Sequence, residues 1–224
     1  MLGIVYMKGV AGVIQNRELA VKYFNLAAEK GNSAAQYRLG VMYASGEGVA
    51  KDEEVALDWF RRAANQNYVH AQFELGKLYK SGRGVPIDRE TAARWCMKAA
   101  VQGDSDAQLE YGMMCLQGDG VKKNVRNAAM WFNKAAQQGN ASAQYKSGTQ
   151  YMTGCGVVKD ERRAIKLFKS ACIQECADAQ YALGVAYEYG AGVAKNKSRA
   201  INLFRKAALQ NHVDAINGLT RLGK

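Results

Sequence analysis

The sequence predicts an all-α fold, an α-solenoid in which antiparallel helix pairs stack along one axis. Three observations predict it. First, the stretch from Asn32 to Asn67 returns every 36 residues, from Tyr68, Asp104, Asn140 and Cys176, with a partial copy from His212. Ala35, Ala71, Ala107, Ala143, Ala179 and Ala215 share one register. Gly46, Gly82, Gly118, Gly154 and Gly190 share another, each followed two residues later by Gly-Val. Second, each copy holds two apolar patterns at helical spacing, i, i+3, i+4, i+7. Third, the only proline among 224 residues is Pro86, so nothing interrupts long helices. Units of this size bury their apolar faces only against neighbouring units, and the chain then grows along a line instead of around one centre.

The array reads as one solenoid domain, 1–224. Its repeats span 1–31, 32–67, 68–103, 104–139, 140–175 and 176–211, with a capping helix over 212–224. Leu2, Gly3 and Tyr6 match Leu39, Gly40 and Tyr43, so the chain opens inside the first helix of a repeat. Arrays normally end in complete capping units, and a longer natural protein is therefore expected. The first copy reads Gly9-Val10-Ala11-Gly12-Val13, one residue longer between its glycines than the others, which predicts a loop bulge.

In each full copy the first helix is expected over about Ser33–Ser45, with Ala35, Leu39, Met42 and Tyr43 on its apolar face. Gly40, Gly76, Gly112, Gly148 and Gly184 lie mid-helix, where glycine costs ~1 kcal/mol relative to alanine. A cost repeated in every copy predicts close approach of a neighbouring helix. Gly46 stops the helix through a positive φ. Asp52, like Asn16, Asp88, Asn124, Asp160 and Asn196, is placed to cap the second helix. That helix buries Ala56, Trp59 or Phe60, and Ala63. In the terminal copy Thr220 and Asn217 replace the glycine and an aromatic residue, consistent with a cap.

The pattern A-x-x-L-G-x-x-Y…G-x-G-V…D-x-x-x-A-x-x-W-F-x-x-A-A is carried here by Ala35, Leu39-Gly40, Tyr43, Gly46, Gly48-Val49, Asp52, Ala56, Trp59-Phe60 and Ala63-Ala64. It resembles that of the Sel1-like repeats, relatives of the tetratricopeptide repeats with a longer, glycine-containing loop. The resemblance covers essentially the whole chain. It implies a right-handed superhelix whose first helices line the concave side, and a role as an adaptor or scaffold, often bacterial. Some cysteine-rich relatives are linked to β-lactams. Their regular cysteine spacing is absent here, with Gln180 eight residues after Cys172.

Composition and motifs argue against other classes. No run approaches the ~20 apolar residues of a membrane span. Five cysteines without a common register make a poor disulfide framework. Cys96, Cys115 and Cys172 fill slots that are apolar in other copies, and a reducing compartment, the cytoplasm, is expected; a removed N-terminal signal would instead place the protein in the periplasm or outside the cell. No histidine or acidic cluster joins the cysteines at ligand spacing, so neither a metal nor a cofactor is expected. The Gly-x-Gly loops follow helices, not strands, which excludes a phosphate cradle. His70 and His212 lack a nucleophile or carboxylate pair beside them and read as surface residues without a role. No catalytic residue is assigned, and the chain reads as non-enzymatic.

The net charge of +11 raises a nucleic-acid interface. The basic residues are spread over most copies, however, many late in second helices (Arg61-Arg62, Lys98, Lys134, Lys169, Arg205-Lys206). There they complement the helix dipole on a solvated face. The expected function is protein binding: a peptide or helix laid along the concave groove. The residues assigned to that groove are Tyr37, Val41, Phe73, Lys77, Lys80, Leu109, Met113, Leu116, Tyr145, Met152, Tyr181 and Val185. The middle is apolar and methionine-bearing and the edges basic, which suits a segment with acidic flanks. The alternative is binding of a polyanion or envelope polymer, nucleic acid or glycan, by the basic face.

Overall fold

The computed structural model describes residues 2–10 and 12–223, and these form α-helices joined by short loops, with no strand among them. Two compact units are distinguished. The first, residues 1–107 with 119–121, holds α1 (Leu2–Lys8), α2 (Arg17–Glu29), α3 (Ser33–Ser45), α4 (Glu53–Asn65), α5 (Val69–Ser81) and α6 (Arg89–Val101). Within it each helix packs on the next, from α1 on α2 to α5 on α6. The second, residues 108–118 with 122–224, holds most of α7 (Ser105–Gln117), then α8 (Val125–Gln137), α9 (Ala141–Thr153), α10 (Glu161–Ile173), α11 (Ala177–Tyr189), α12 (Lys197–Ala208) and α13 (Val213–Arg221). There α8 to α13 pack successively, and α9 also touches α11.

The helices start and stop where the sequence places the signals. The side chains of Asn16, Asp52, Asp88, Asn124, Asp160 and Asn196 each accept a backbone N–H at the start of a second helix, satisfying donors that have no intrahelical partner. First helices end at Gly46, Gly82, Gly154 and Gly190 in the left-handed conformation. Each long loop closes on itself: Asp52 N–H donates to the Tyr43 carbonyl at 2.9 Å, and Asn196 N–H to that of Tyr187 at 2.8 Å. The expected bulge at Gly9–Val13 turns on Ala11, which lies outside the described residues.

Two glycines per copy are fixed by close approach. A Cβ on Gly40 would stand 2.6 Å from the Phe60 ring, and one on Gly148 the same distance from Phe168. The mid-helix glycine is thus the seat of the second helix's buried phenylalanine. In the α5–α6 pair Cys96 replaces that phenylalanine and its sulfur lies over Gly76. Gly48, at φ 74°, presses against the backbone of Arg17 at the start of the preceding second helix, where a Cβ would meet the carbonyl oxygen at 2.6 Å. Gly84 meets Glu53 and Gly192 meets Glu161 in the same way. The loop glycine therefore serves stacking of one repeat on the previous one as well as chain reversal.

A second stacking device has no counterpart in the reading from sequence. Gln36, Gln72, Gln108, Gln144 and Gln180 are buried at the start of first helices. Their amide oxygens accept from Gln66, Gln102, Gln138, Gln174 and Gln210 respectively, at 2.7, 2.7, 2.8, 3.1 and 3.0 Å. The amide nitrogens of Gln36, Gln72 and Gln144 donate to carbonyls of Ala28, Ala64 and Ala136, at the end of the preceding second helix. One buried side chain thereby ties its own helix to the second helices before and after it. The 36-residue recurrence of both glutamines was the available signal.

Candidate functional site

The first helices place the residues assigned to the groove in several settings. In the first unit Tyr37, Val41 and Ala44 pack against the cluster of Ala56, Leu57, Phe60, Ala71 and Leu75. The Tyr37 ring lies 5.8 Å from Phe60 and 5.2 Å from Tyr68. Phe73 is half-buried, and the Lys77 ammonium sits 5.4 Å over its ring while pairing with Glu74 at 2.7 Å. Both lysines assigned to the basic edge, Lys77 and Lys80, are exposed. In the second unit Leu109 packs on Ala135, Ala136 and Ala143, and Met113 and Leu116 are half-buried.

Four of the twelve residues meet in one cleft. Tyr145 and Met152 of α9 and Tyr181 and Val185 of α11 line a groove of about 310 Å³, together with Thr149, Thr153, Ala182 and Tyr189 on its walls and Phe168 at its floor. The aromatic residues here both pack and present a face. Tyr145 and Tyr181 lie over the buried Phe168 and Phe204 with ring centres 6.2 and 5.6 Å apart, yet both stay half-buried. Burial pushes both phenols above the ordinary tyrosine value, and the carboxylates of Asp178 and Asp214 respectively push the same way. They are therefore neutral at physiological pH and able to donate a hydrogen bond from an apolar wall. Tyr189, 65% exposed, completes the rim. Its slot holds Ser45, Ser81, Gln117 and Thr153 in the other copies, so an aromatic residue in a polar register was the sequence signal for it. The volume lies at the small end of ligand sites, enough for side chains of a passing segment.

Of the two histidines, His212 is structural. His212 caps α13, its Nδ1 accepting from Ala215 N–H at 3.3 Å. It also stacks on Tyr181 with centres 4.8 Å apart and lies 3.3 Å from Asp178. The reading of His212 as a residue without a role is thus corrected: it fixes the last helix beside the groove. His70 lies 3.4 Å from Asp104. Among the described residues no group of three or more histidine, cysteine or acidic side chains is placed to hold a metal ion. Burial pushes the Cys172 thiol up to about 11, with the nearby Cys176 adding to it, so Cys172 is a protonated thiol at physiological pH. Among the described residues no helix is long and apolar enough to cross a membrane.

On the second helices the basic residues stack on tryptophan one turn away. Arg62, Lys98 and Lys134 lie 4.6, 4.1 and 4.5 Å from the ring centres of Trp59, Trp95 and Trp131. Cations in such positions keep their charge in water while covering an aromatic face.

Comparison with known proteins agrees with this architecture. A family model described as Sel1 repeat matches residues 1–32, 33–68, 69–104, 105–140, 141–176 and 177–212. The crystal structure of a protective antigen present in uropathogenic Escherichia coli strains, displaying an SLR fold, is 37% identical at a TM-score of 0.92. The match covers 99% of this chain and 47% of that one, so the chain spans about half of that protein. A Sel1 repeat protein from Oxalobacter formigenes is 30% identical at a TM-score of 0.90, covering 100% of this chain and 88% of that one. Comparison with curated proteins returned no match.

Proposed function

The chain belongs to the Sel1 repeat family, and from that premise we propose that it is a non-enzymatic binding module that holds a partner protein's segment along its first helices. Proteins with this repeat are generally protein-interaction scaffolds. The observation that carries the finer reading is the cleft between α9 and α11, where Tyr145, Met152, Tyr181, Val185 and the exposed Tyr189 gather apolar surface that the fold itself leaves uncovered. Rigid aromatic walls with neutral phenol donors and one adaptable methionine suit an extended peptide or one face of a helix. The partner's apolar side chains would enter the cleft, and aromatic contacts there would dominate the affinity. Contacts repeated along further first helices, at Tyr37, Val41, Phe73, Leu109, Met113 and Leu116, would add to it as linked sites do. The exposed Lys77 and Lys80 would favour acidic residues flanking the segment.

Selection of displayed peptides against the whole chain tests this reading. The wild type is expected to enrich a family of sequences with an apolar or aromatic anchor, and Met152→Glu with Val185→Glu to abolish the enrichment while the far-UV circular dichroism stays helical. Enrichment unchanged by the double substitution would reject the groove.

A further inference from the structure

Three of the second helices, α4, α6 and α8, carry a ring-and-cation pair at one register, and in α12 the cation is present but the ring is missing. Tyr23, Trp59, Trp95 and Trp131 occupy this register, followed by Leu167 and Leu203. Three residues later stand Arg62, Lys98 and Lys134, each over the tryptophan of its own helix, and then Ser170 and Lys206. In α10 both partners of the pair are lost. In α12 only the ring is lost, and Lys206 is left without an aromatic face at the register.

The space is open. A cleft of about 560 Å³ lies at Leu203, floored by Leu183 and Tyr187 of α11 and rimmed by Lys169, Arg199, Asn202 and Lys206. Leu183 and Tyr187 are 4% and 7% exposed, so the floor is a wall of the core, while the four rim residues are exposed. Arg199 is held in place: it donates to the Tyr187 hydroxyl at 3.2 Å, with its guanidinium 5.4 Å from the ring centre. No carboxylate lines the cleft, and among the described residues none pairs with Lys169, Arg199 or Lys206. What sets the place apart is that three cations without a carboxylate partner rim one cleft whose floor is apolar.

We propose that this cleft binds an aromatic carboxylate: a flat ring takes the place that tryptophan holds in three other repeats, and its anionic group meets Lys169, Arg199 and Lys206. The ring supplies the missing face for the Lys206 ammonium, as tryptophan does for its counterparts, and covers Leu183 and Leu203. The carboxylate receives charge-assisted hydrogen bonds from the guanidinium and ammonium groups, with the Asn202 amide as a further neutral donor. Such a group comes either from a free aryl acid or from the C-terminal aromatic residue of a peptide. The chemistry is shared. The site is distinct from the α9–α11 groove in its lining, so it stands or falls independently of the proposed function.

Titration calorimetry of the whole chain tests it, with indole-3-acetate, N-acetyltryptophan and N-acetyltryptophanamide as probes. The two acids are expected to bind and the amide to bind at least about tenfold more weakly, with affinity falling as salt is added. Tighter binding of indole-3-acetate assigns the site to free aryl acids; tighter binding of N-acetyltryptophan assigns it to peptide C-termini. Leu203→Trp restores the side chain of three other repeats, and is expected to fold and to abolish binding by filling the cleft. Lys169→Gln with Lys206→Gln leaves the space and is expected to weaken the acids at least about tenfold and the amide by a smaller factor, since the amide loses only the contact of its ring with Lys206. Absence of acid binding, equal binding of acid and amide, or binding untouched by Leu203→Trp would each overturn the proposal.

Discussion

The buried glutamine of each repeat should be energetically coupled to its partner 30 residues later, and the pair Gln72–Gln102 gives the cleanest case. Gln72 is 1% exposed; it donates to the Ala64 carbonyl at 3.3 Å and accepts from Gln102 at 2.7 Å. Gln102→Ala leaves the Gln72 carbonyl oxygen buried without that donor, a loss of about 1–3 kcal/mol. Gln72→Ala removes these two hydrogen bonds and a third, longer one to Asn67 Oδ1 at 3.4 Å, opens a cavity, and is expected to cost about 2–4 kcal/mol. Once Gln72 is gone, Gln102 is an exposed side chain facing water, so removing it then costs ~0.5 kcal/mol or less. The double-mutant cycle should therefore return a coupling of about 1–2 kcal/mol. Equilibrium urea unfolding followed by far-UV circular dichroism measures all four corners. If Gln102→Ala costs the same in both backgrounds, the clamp is not an energetic unit and the account of repeat stacking fails.

Other outcomes follow from particular contacts. Gly148→Ala gains ~1 kcal/mol of helix propensity but drives a Cβ to 2.6 Å from Phe168; overpacking of ~1–3 kcal/mol outweighs the gain, so thermal unfolding should show net destabilisation, larger for Gly148→Val. Hydrogen bonds from Lys51 and then Arg83 hold the Glu53 carboxyl below its ordinary value of 4.5. A depressed folded value means that the stability Glu53 contributes is present above about pH 4.5 and is lost as pH falls through its folded pKa. Carbon-detected titration should show the Glu53 pKa rising in Arg83→Gln; an unchanged value would exclude the bridge.

The repeat, its helices and caps were legible because each rests on a local rule applied in every copy. Gly46 needs a positive φ, Asp52 needs only an oxygen beside the unpaired N–H groups of Glu54 and Val55, and the apolar spacing needs only a helix. Gly40 announced a close approach without naming its partner; Phe60 emerges only when α3 and α4 are packed. The glutamine clamp was visible as recurrence but not as chemistry, since Gln36 and Gln66 lie far apart in sequence and polar residues near helix ends have many ordinary uses. The groove was readable as a stripe of first-helix positions. Its gathering of Tyr145, Met152, Tyr181 and Val185 in one cleft depends on α9 and α11 lying side by side, and Tyr189 joins them from a register where the other copies are polar. The α12 cleft rests on an absence, the tryptophan that Leu203 replaces, and an absence becomes a space only in three dimensions.

The measurement that bears most directly on the central claim is the salt dependence of binding for a peptide selected on the wild type. Binding in the apolar groove of α9 and α11 predicts a change in affinity of less than about threefold between 50 and 200 mM salt, since flanking charges contribute little once screened. A loss of about 10³-fold or more over that range is the behaviour of a polyanion on a basic face, and it would contradict the assignment of the groove as the binding site.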